Sequence, residues 1–369
     1  MKQWCTPPAD ILEDSTNKQT TLYNGDSIAE VITACGVPCE CVKVVSAPQI
    51  ATYHFNLVNV QDITKLKNPL ATLSALIHTK AQQTISDIAH FALVIPKHGR
   101  RVVSIRECIL TETFDDHPPH LRTCLGLDSC NNSVVFSVAD MPHILIAGAT
   151  GSGKSVLLNS MIVSLLYSCT PATTQFVMID PKKVELSKYE GLPHLGCRII
   201  KNHKDAVAVL QSVCNIMDSR YNDMAEKGFK NAKDMGLHSI VVVIDELADL
   251  MLTSKYECER SIIRIAQLGR AAGIHLIIAT QRPTVNVITG LIKSNIPCKI
   301  ALQTSSIRDS ITILDHKGAE SLLGKGDALL KLPDRVEEIR FQSAYISDAD
   351  IENVVNYWKY NSIREDLTN

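Results

Sequence analysis

An α/β fold, with a mostly parallel sheet preceded by a smaller α+β domain, is what the 369-residue sequence predicts, on three observations. Short apolar runs at 143–147, 175–179, 240–244, 275–279 and 299–303 alternate with helical segments, the pattern of parallel strands covered on both faces. A glycine-rich turn joins the first of these runs to a helical stretch at 156–166. Ahead of them lies a segment of different periodicity, ending in the Asp-Asp-His-Pro-Pro run at 115–119, a natural linker.

Taken in order, residues 1–25 mix Pro7, Pro8, Asp and Thr without periodicity and read as a loosely ordered arm. From Cys41 the pattern is strand-like, with Tyr53, Phe55 and Leu57 alternating, and Leu66, Leu70, Leu73 and Ile77 then recur at helical spacing. Residues 91–95 and 101–105 read as two further strands, so a small α+β domain is expected over 26–120. The α/β domain follows over 121–360, with a polar tail at 361–369.

A chain that is 45% hydrophobic and 21% charged is ordinary globular material, which excludes a disordered or fibrous protein. The formal net charge of -2 excludes a surface that is basic throughout, so any grip on nucleic acid must be local. Twelve cysteines with no CxxC pair, and no signal peptide, read as reduced thiols of a cytoplasmic protein. Cys35, Cys39 and Cys41 match no zinc spacing, and no metal is assigned to them. No apolar run approaches the roughly 20 residues that cross a bilayer, so no membrane contact is expected from this chain itself.

The sharpest motif is the run Gly148, Ala149, Thr150, Gly151, Ser152, Gly153, Lys154 and Ser155, which fits GxxxxGK[ST] between a strand and a helix opening at Val156. Glycines let such a loop curl until successive N–H groups and the helix N-terminus converge on phosphate oxygens. Lys154 would reach the β and γ phosphates of ATP, and Ser155 would give its hydroxyl to Mg²⁺. A ligand-free strand-to-helix turn would need glycines but not the Lys-Ser pair. About 90 residues on, the run 240–244 ends in Asp245 and Glu246. Beside a complete phosphate loop, Asp245 reads as a Mg²⁺-shell carboxylate and Glu246 as the group that orients attacking water. The run 275–279 leads to Gln281, at the carboxyl edge where parallel sheets bind ligands; its amide either senses the γ phosphate or is a plain surface turn residue.

With these motifs in order, the chain resembles the motor portion of the FtsK/SpoIIIE family of DNA translocases. The resemblance rests on MPHILIAGATGSGKS at 141–155, DPKKVEL at 180–186, YEGLPH at 189–194, DELAD at 245–249, RAAGIH at 270–275, ATQRP at 279–283, VITGLIK at 287–293 and LGKGD at 323–327. It extends into the first domain through APQI at 47–50 and FALVIP at 91–96, and so covers about residues 41–358. It implies a RecA-like P-loop NTPase core, working as a hexameric homo-oligomeric ring that drives double-stranded DNA through a central channel by ATP hydrolysis. Arg270 matches the position that acts in trans on a neighbour's nucleotide, though an arginine favoured at a helix C-terminus would look the same. Arg282 and Lys293 match positions that point at DNA phosphates. The chain departs from the pattern at Ile307 and Ile311, where relatives often carry basic residues, leaving Arg308 alone nearby. The basic turn at 228–233 resembles a region near the channel, and a solvated turn would fit it equally. Neither a membrane region before the first domain nor a winged-helix module after Trp358 is seen, so an excised or minimal motor without orientation preference is expected. A secretion or conjugative-coupling ATPase moving protein or single strands is the alternative reading.

Overall fold

The computed structural model describes residues 4–13, 22–78, 81–85, 89–97, 101–117 and 120–364. It divides into two compact units, one of residues 15–103 with 127–132, the other of 1–14, 104–126 and 133–369. Within the 1–25 stretch, residues 1–3 and 14–21 lie outside the described residues, as do Pro118 and Pro119 of the linker run.

In the smaller unit, α1 (Gly25–Ala34) starts where the Asn24 side chain accepts the Asp26 N–H. The strands β1 (Cys39–Ser46) and β2 (Ile50–Leu57) follow, then α2 (Lys67–Leu76), β3 (Gln82–Ile85) and β4 (His90–Pro96). The four strands form an antiparallel sheet in the order β1-β2-β4-β3. The alternation at Tyr53, Phe55 and Leu57 does face one core, with Ile28, Ile32 and Leu73 of the helices and with Phe91, stacked on Phe55 at 5.1 Å.

The strand expected at 101–105 does not form. Ser104 instead caps a helix, accepting the Arg106 N–H, and α3 (Ile105–Ile109) and α4 (Glu112–Asp116) follow. The serine hydroxyl offers the backbone a partner that a strand ladder would have had to supply, so the apolar pair Val102 and Val103 leads into a helix.

The larger unit continues through β5 (Arg122–Asp128), β6 (Ser133–Ser137), β7 (His143–Ala147), α5 (Lys154–Leu166), β8 (Thr174–Ile179) and α6 (His203–Lys227). Then come β9 (Ser239–Ile244), α7 (Leu247–Thr253), α8 (Lys255–Leu268), β10 (Ile274–Thr280), α9 (Gly290–Asn295) and β11 (Cys298–Leu302). Last are α10 (Ile307–Leu314), β12 (Asp327–Lys331), β13 (Ile339–Ser343) and α11 (Asp348–Arg364). All five apolar runs of the sequence are strands, within a residue of their expected ends.

The sheet has nine strands in the order β6-β5-β13-β12-β11-β7-β10-β9-β8. Its centre is parallel, from β8 through β9, β10 and β7 to β11, while β12 and β13 run antiparallel beside it. This is the mostly parallel α/β architecture that the sequence predicts. Leu145, Val242, Ile244, Leu276 and Ile278 pack on α6, α7 and α8 through Leu210, Met217, Leu250, Ile262 and Ile265. The alternate residues Ile144, Ile146, Val241, Val243 and Ile277 are equally buried, so both faces of the sheet are covered. Residues 4–13 also belong here: Leu12 is buried, the Tyr167 hydroxyl donates to Pro8 O, and Trp4 meets Trp358 of α11 at 6.1 Å.

Three histidines lie inside this unit. Burial pushes His143 and His194 down to about 4, and burial with neighbouring cationic groups pushes His275 down to about 3. The unfolded chain takes up protons on histidine below about 6.5, whereas these folded sites stay neutral until far lower pH. Their contribution to stability is therefore complete above about 6.5 and is lost as pH falls toward the folded values. The urea midpoint is expected to fall between pH 7.5 and pH 5, and His275→Leu is expected to flatten that fall. A midpoint independent of pH over this range would contradict the reading.

Candidate functional site

The parallel strands β7, β9 and β10 deliver their carboxyl ends to one edge of the sheet. The glycine-rich turn is held there by its backbone: Gly148 N donates to Thr280 O (3.3 Å) and Ala149 N to Gln303 O (2.8 Å). Gly151 and Gly153 have φ of 80° and 106°, the left-handed region that a side chain disfavours. Gly153 is also crowded, since a Cβ there would lie 2.6 Å from Gly326 N. Gly326 N in turn donates to Ser152 O (2.7 Å), so the LGKGD segment is the backing against which the loop is pressed. The first turn of α5 leaves the N–H groups of Lys154, Ser155 and Val156 without an acceptor among the described residues. Together with Gly151, beside which an added Cβ would meet nothing within 4 Å, these N–H groups are free to take phosphate oxygens.

Lys154 is buried and donates to Asp245 twice, to Oδ1 at 2.9 Å and to the backbone oxygen at 2.6 Å. Burial pushes the Asp245 carboxyl above the usual carboxylate range, and the Lys154 ammonium opposes that rise. Glu246 follows on the same strand end, and its carboxylate is fully engaged. Thr280 Oγ1 donates to Oε1 at 2.6 Å, Ala248 N to Oε1 at 3.3 Å, Gln281 N to both oxygens at 3.2 Å, and Lys182 Nζ to Oε2 at 3.1 Å. Burial pushes this carboxyl up, but the Thr280 hydrogen bond and the charges of Lys154 and Lys182 outweigh it and hold it low. The Gln281 side chain reaches the loop itself, its Oε1 accepting the Thr150 hydroxyl at 2.9 Å.

The loop from Gly148 to Val156, Asp245, Glu246 and Gln281 are thus brought together. Arg270 is not. It is exposed in the turn between α8 and β10, at the other end of the sheet, and the seven residues of β10 separate it from Gln281 by roughly 20 Å. Arg282 is exposed just beyond Gln281, and Arg308 is exposed in the first turn of α10. Lys293 is largely covered, donating to Ile311 O at 2.9 Å and pairing with Asp315 at 2.7 Å. Asp315 also meets Lys299 and Lys331, and these cations hold its carboxyl down at about 2 against burial.

Sequence reasoning gave no role to Lys182, although it lies in the DPKKVEL motif. The signal was there: Asp180 caps this turn by accepting the N–H groups of Lys183 and Leu186, which fixes a tight reversal after β8 next to β9. The donor set fits a nucleotide triphosphate with a divalent cation. The phosphate loop supplies N–H donors and an ammonium, and Ser155 with the buried Asp245 supplies the hard oxygen ligands that Mg²⁺ takes.

The sequence signature of the FtsK/SpoIIIE family matches residues 104–238 and 231–285. A DNA translocase FtsK of Caldanaerobacter subterraneus subsp. tengcongensis is 40% identical over 374 residues, covering 97% of this chain and 53% of its own length. The chain spans about half the length of the curated relatives it matches. Among solved structures, the pCW3 conjugation coupling protein TcpA, a monomer form with ATPγS, is similar with a TM-score of 0.63 and 22% identity, over 92% of this chain and 100% of that one. The cytoplasmic domain of the Thermomonospora curvata type VII secretion ATPase EccC is similar with a TM-score of 0.57 and 24% identity, over 66% of this chain and 32% of that one. These two likenesses are of fold.

Two glycine substitutions separate strain from crowding in the loop. Gly151→Ala meets open space and bears only the cost of its φ, about 1–2 kcal/mol, whereas Gly153→Ala must also displace the Gly326 backbone. Chemical denaturation is expected to find Gly153→Ala the less stable by about 1 kcal/mol or more. Binding of a fluorescent ATP analogue should be lost in Gly153→Ala and in Lys154→Ala. Equal stability of the two glycine variants would mean the loop is not backed by Gly326.

Proposed function

Since the chain belongs to the FtsK/SpoIIIE family, we propose that it is a motor that hydrolyses ATP with Mg²⁺ to move double-stranded DNA, as one subunit of a homo-oligomeric, hexameric ring. The observation that carries this reading is the convergence of the phosphate loop, Asp245, Glu246 and Gln281 on one sheet edge, with the exposed Arg270 about a strand length away at the other. A site that lacks its own arginine on an otherwise complete edge is suited to borrow one from a neighbour.

In this mechanism the N–H groups of Gly151, Gly153, Lys154, Ser155 and Val156 seat the phosphates, and Lys154 exchanges its Asp245 partner for β and γ oxygens. Ser155 and Asp245 would hold Mg²⁺, which when bound would neutralise charge on the transferring phosphoryl group. Glu246 orients the attacking water, and Gln281, already bonded to Thr150 of the loop, meets the γ phosphate. Arg270 supplies a fixed positive charge to the neighbouring subunit's site. The exposed Arg282 and Arg308 contact DNA phosphates, and Lys293 joins them only by exchanging Asp315 for a phosphate. A DNA cargo is favoured over a protein because the 40% identical relative is named a DNA translocase. All twelve cysteines are unbridged, which supports a cytoplasmic setting, and no described helix is long and apolar enough to cross a membrane.

ATP hydrolysis is expected to rise with duplex DNA more than with single strands or candidate protein cargo, and the motor is expected to displace a triplex-forming strand. Stimulation without displacement would leave a DNA-dependent ATPase that does not translocate. Glu246→Gln is expected to bind ATP yet turn over at least a hundredfold more slowly. Arg270→Ala should be inactive alone and regain partial activity in rings mixed with Lys154→Ala, since each spoils a different half of a shared site. No recovery in rings shown to mix would remove the trans role. Arg282→Ala should reduce the log-log salt slope of duplex affinity by about 0.9, the loss of one phosphate contact.

A further inference from the structure

Glu246 is held by more donors than a working base can spare. A carboxylate has about four lone-pair positions, and here Oε1 receives Thr280, Ala248 and Gln281 while Oε2 receives Gln281 and Lys182. No position is left for a water. Three of these donors are fixed in backbone or are short and buried, but Lys182 is a long side chain, 41% exposed, reaching in from the turn after β8. It also has a second partner at hand, with Asp249 Oδ2 4.0 Å away in the first turn of α7. Thr280, short and buried, is tied in turn to the next stretch of chain. Its hydroxyl accepts the Arg282 N–H at 3.1 Å while donating to Glu246, so the chain that carries Arg282 is hydrogen-bonded through one side chain to the carboxylate.

We propose that Lys182 is a positioning residue that, with Thr280, restrains Glu246 in an occupied posture, and that movement of the Gln281–Arg282 chain on meeting DNA releases it. The inference rests on the reading of Glu246 as the water-orienting group and of Arg282 as a DNA contact. A shift of the Arg282 backbone would withdraw the Thr280 hydroxyl and the Gln281 N–H together, and Lys182, the remaining side-chain donor, has Asp249 within 4.0 Å to receive it. The carboxylate then keeps only the Ala248 N–H and has room for water. The charged groups around it are Lys154 from α5, Lys182 from the turn after β8, Asp245 on its own strand end and Asp249 on α7.

The test compares Lys182→Met, Lys182→Arg and Glu246→Gln in the full chain, with turnover measured without DNA and with saturating duplex. Lys182→Met is expected to raise DNA-free turnover several-fold and to lower the ratio of DNA-stimulated to DNA-free rates. Lys182→Arg, which keeps the positive charge, is expected to restore the ratio, which a merely structural role would not require. If Lys182→Met leaves the ratio unchanged, or lowers both rates together, the restraint is absent. Glu246→Gln separates the two readings. Wild-type turnover in that variant overturns the assignment of the base, and the restraint with it, whereas an inactive Glu246→Gln beside an unaltered Lys182→Met ratio overturns the restraint alone.

Discussion

The site depends on a reversal of the backbone between β7 and α5 that only glycine can make. Gly153 combines a φ of 106° with an approach to Gly326 too close for any side chain. That reversal turns the first N–H groups of α5 outward and sets Lys154 beneath them, where it meets Asp245. The Gly324–Gly326 turn exists to receive it, and this turn is itself tied down: the Leu323 N–H donates to Asp327, which Arg340 of β13 grips through two bonds at 3.0 and 2.7 Å. The antiparallel strands β12 and β13 therefore back the phosphate loop as well as extending the sheet.

Charge at the buried edge is arranged so that no ion is left alone. Lys154 and Asp245 compensate each other where neither meets water, and Glu246 has Lys182 and three hydrogen-bond donors around it. Such pairing also makes the edge responsive. An anion offered to Lys154 competes directly with Asp245, and freeing Asp245 creates an oxygen ligand, so phosphate and cation would favour each other's binding. Glu246 is joined through Thr280 and Gln281 to the chain carrying Arg282, which puts the proposed chemistry and the proposed DNA contact within a few bonds of each other.

The two ends of the sheet carry different work. At the carboxyl end lie the groups for phosphate; at the amino end lie Arg270, the histidines His143 and His275, and the lysines gathered on Asp315. Arg270 is presented by a turn that is firmly held: the buried Arg220 donates to Ala272 O at 2.6 Å, and Ala232 N donates to Ala271 O at 2.8 Å. For the trans role proposed for it, such a rigid mount would be an advantage, because a floppy side chain would lose entropy on every engagement.

The sequence by itself determined whatever depends on neighbours along the chain. The five core strands were legible because burial on both faces demands unbroken apolar runs, and the phosphate loop because glycine, lysine and serine are needed at fixed offsets. Asp245 and Glu246 were legible because they end such a run. The short strands β5, β6, β12 and β13 and the cap at Ser104 were not, since their pattern is weak and a single hydroxyl decided between strand and helix. Only the tertiary structure decided that Lys182 reaches Glu246 across 64 residues, that Gly326 presses on Gly153, that Arg270 stands a strand length from the phosphates, and that Asp315 holds Lys293. Each follows from the spatial order β8-β9-β10-β7-β11-β12, which differs from the order along the chain, and charge pairing across that sheet leaves no periodicity for a sequence to show.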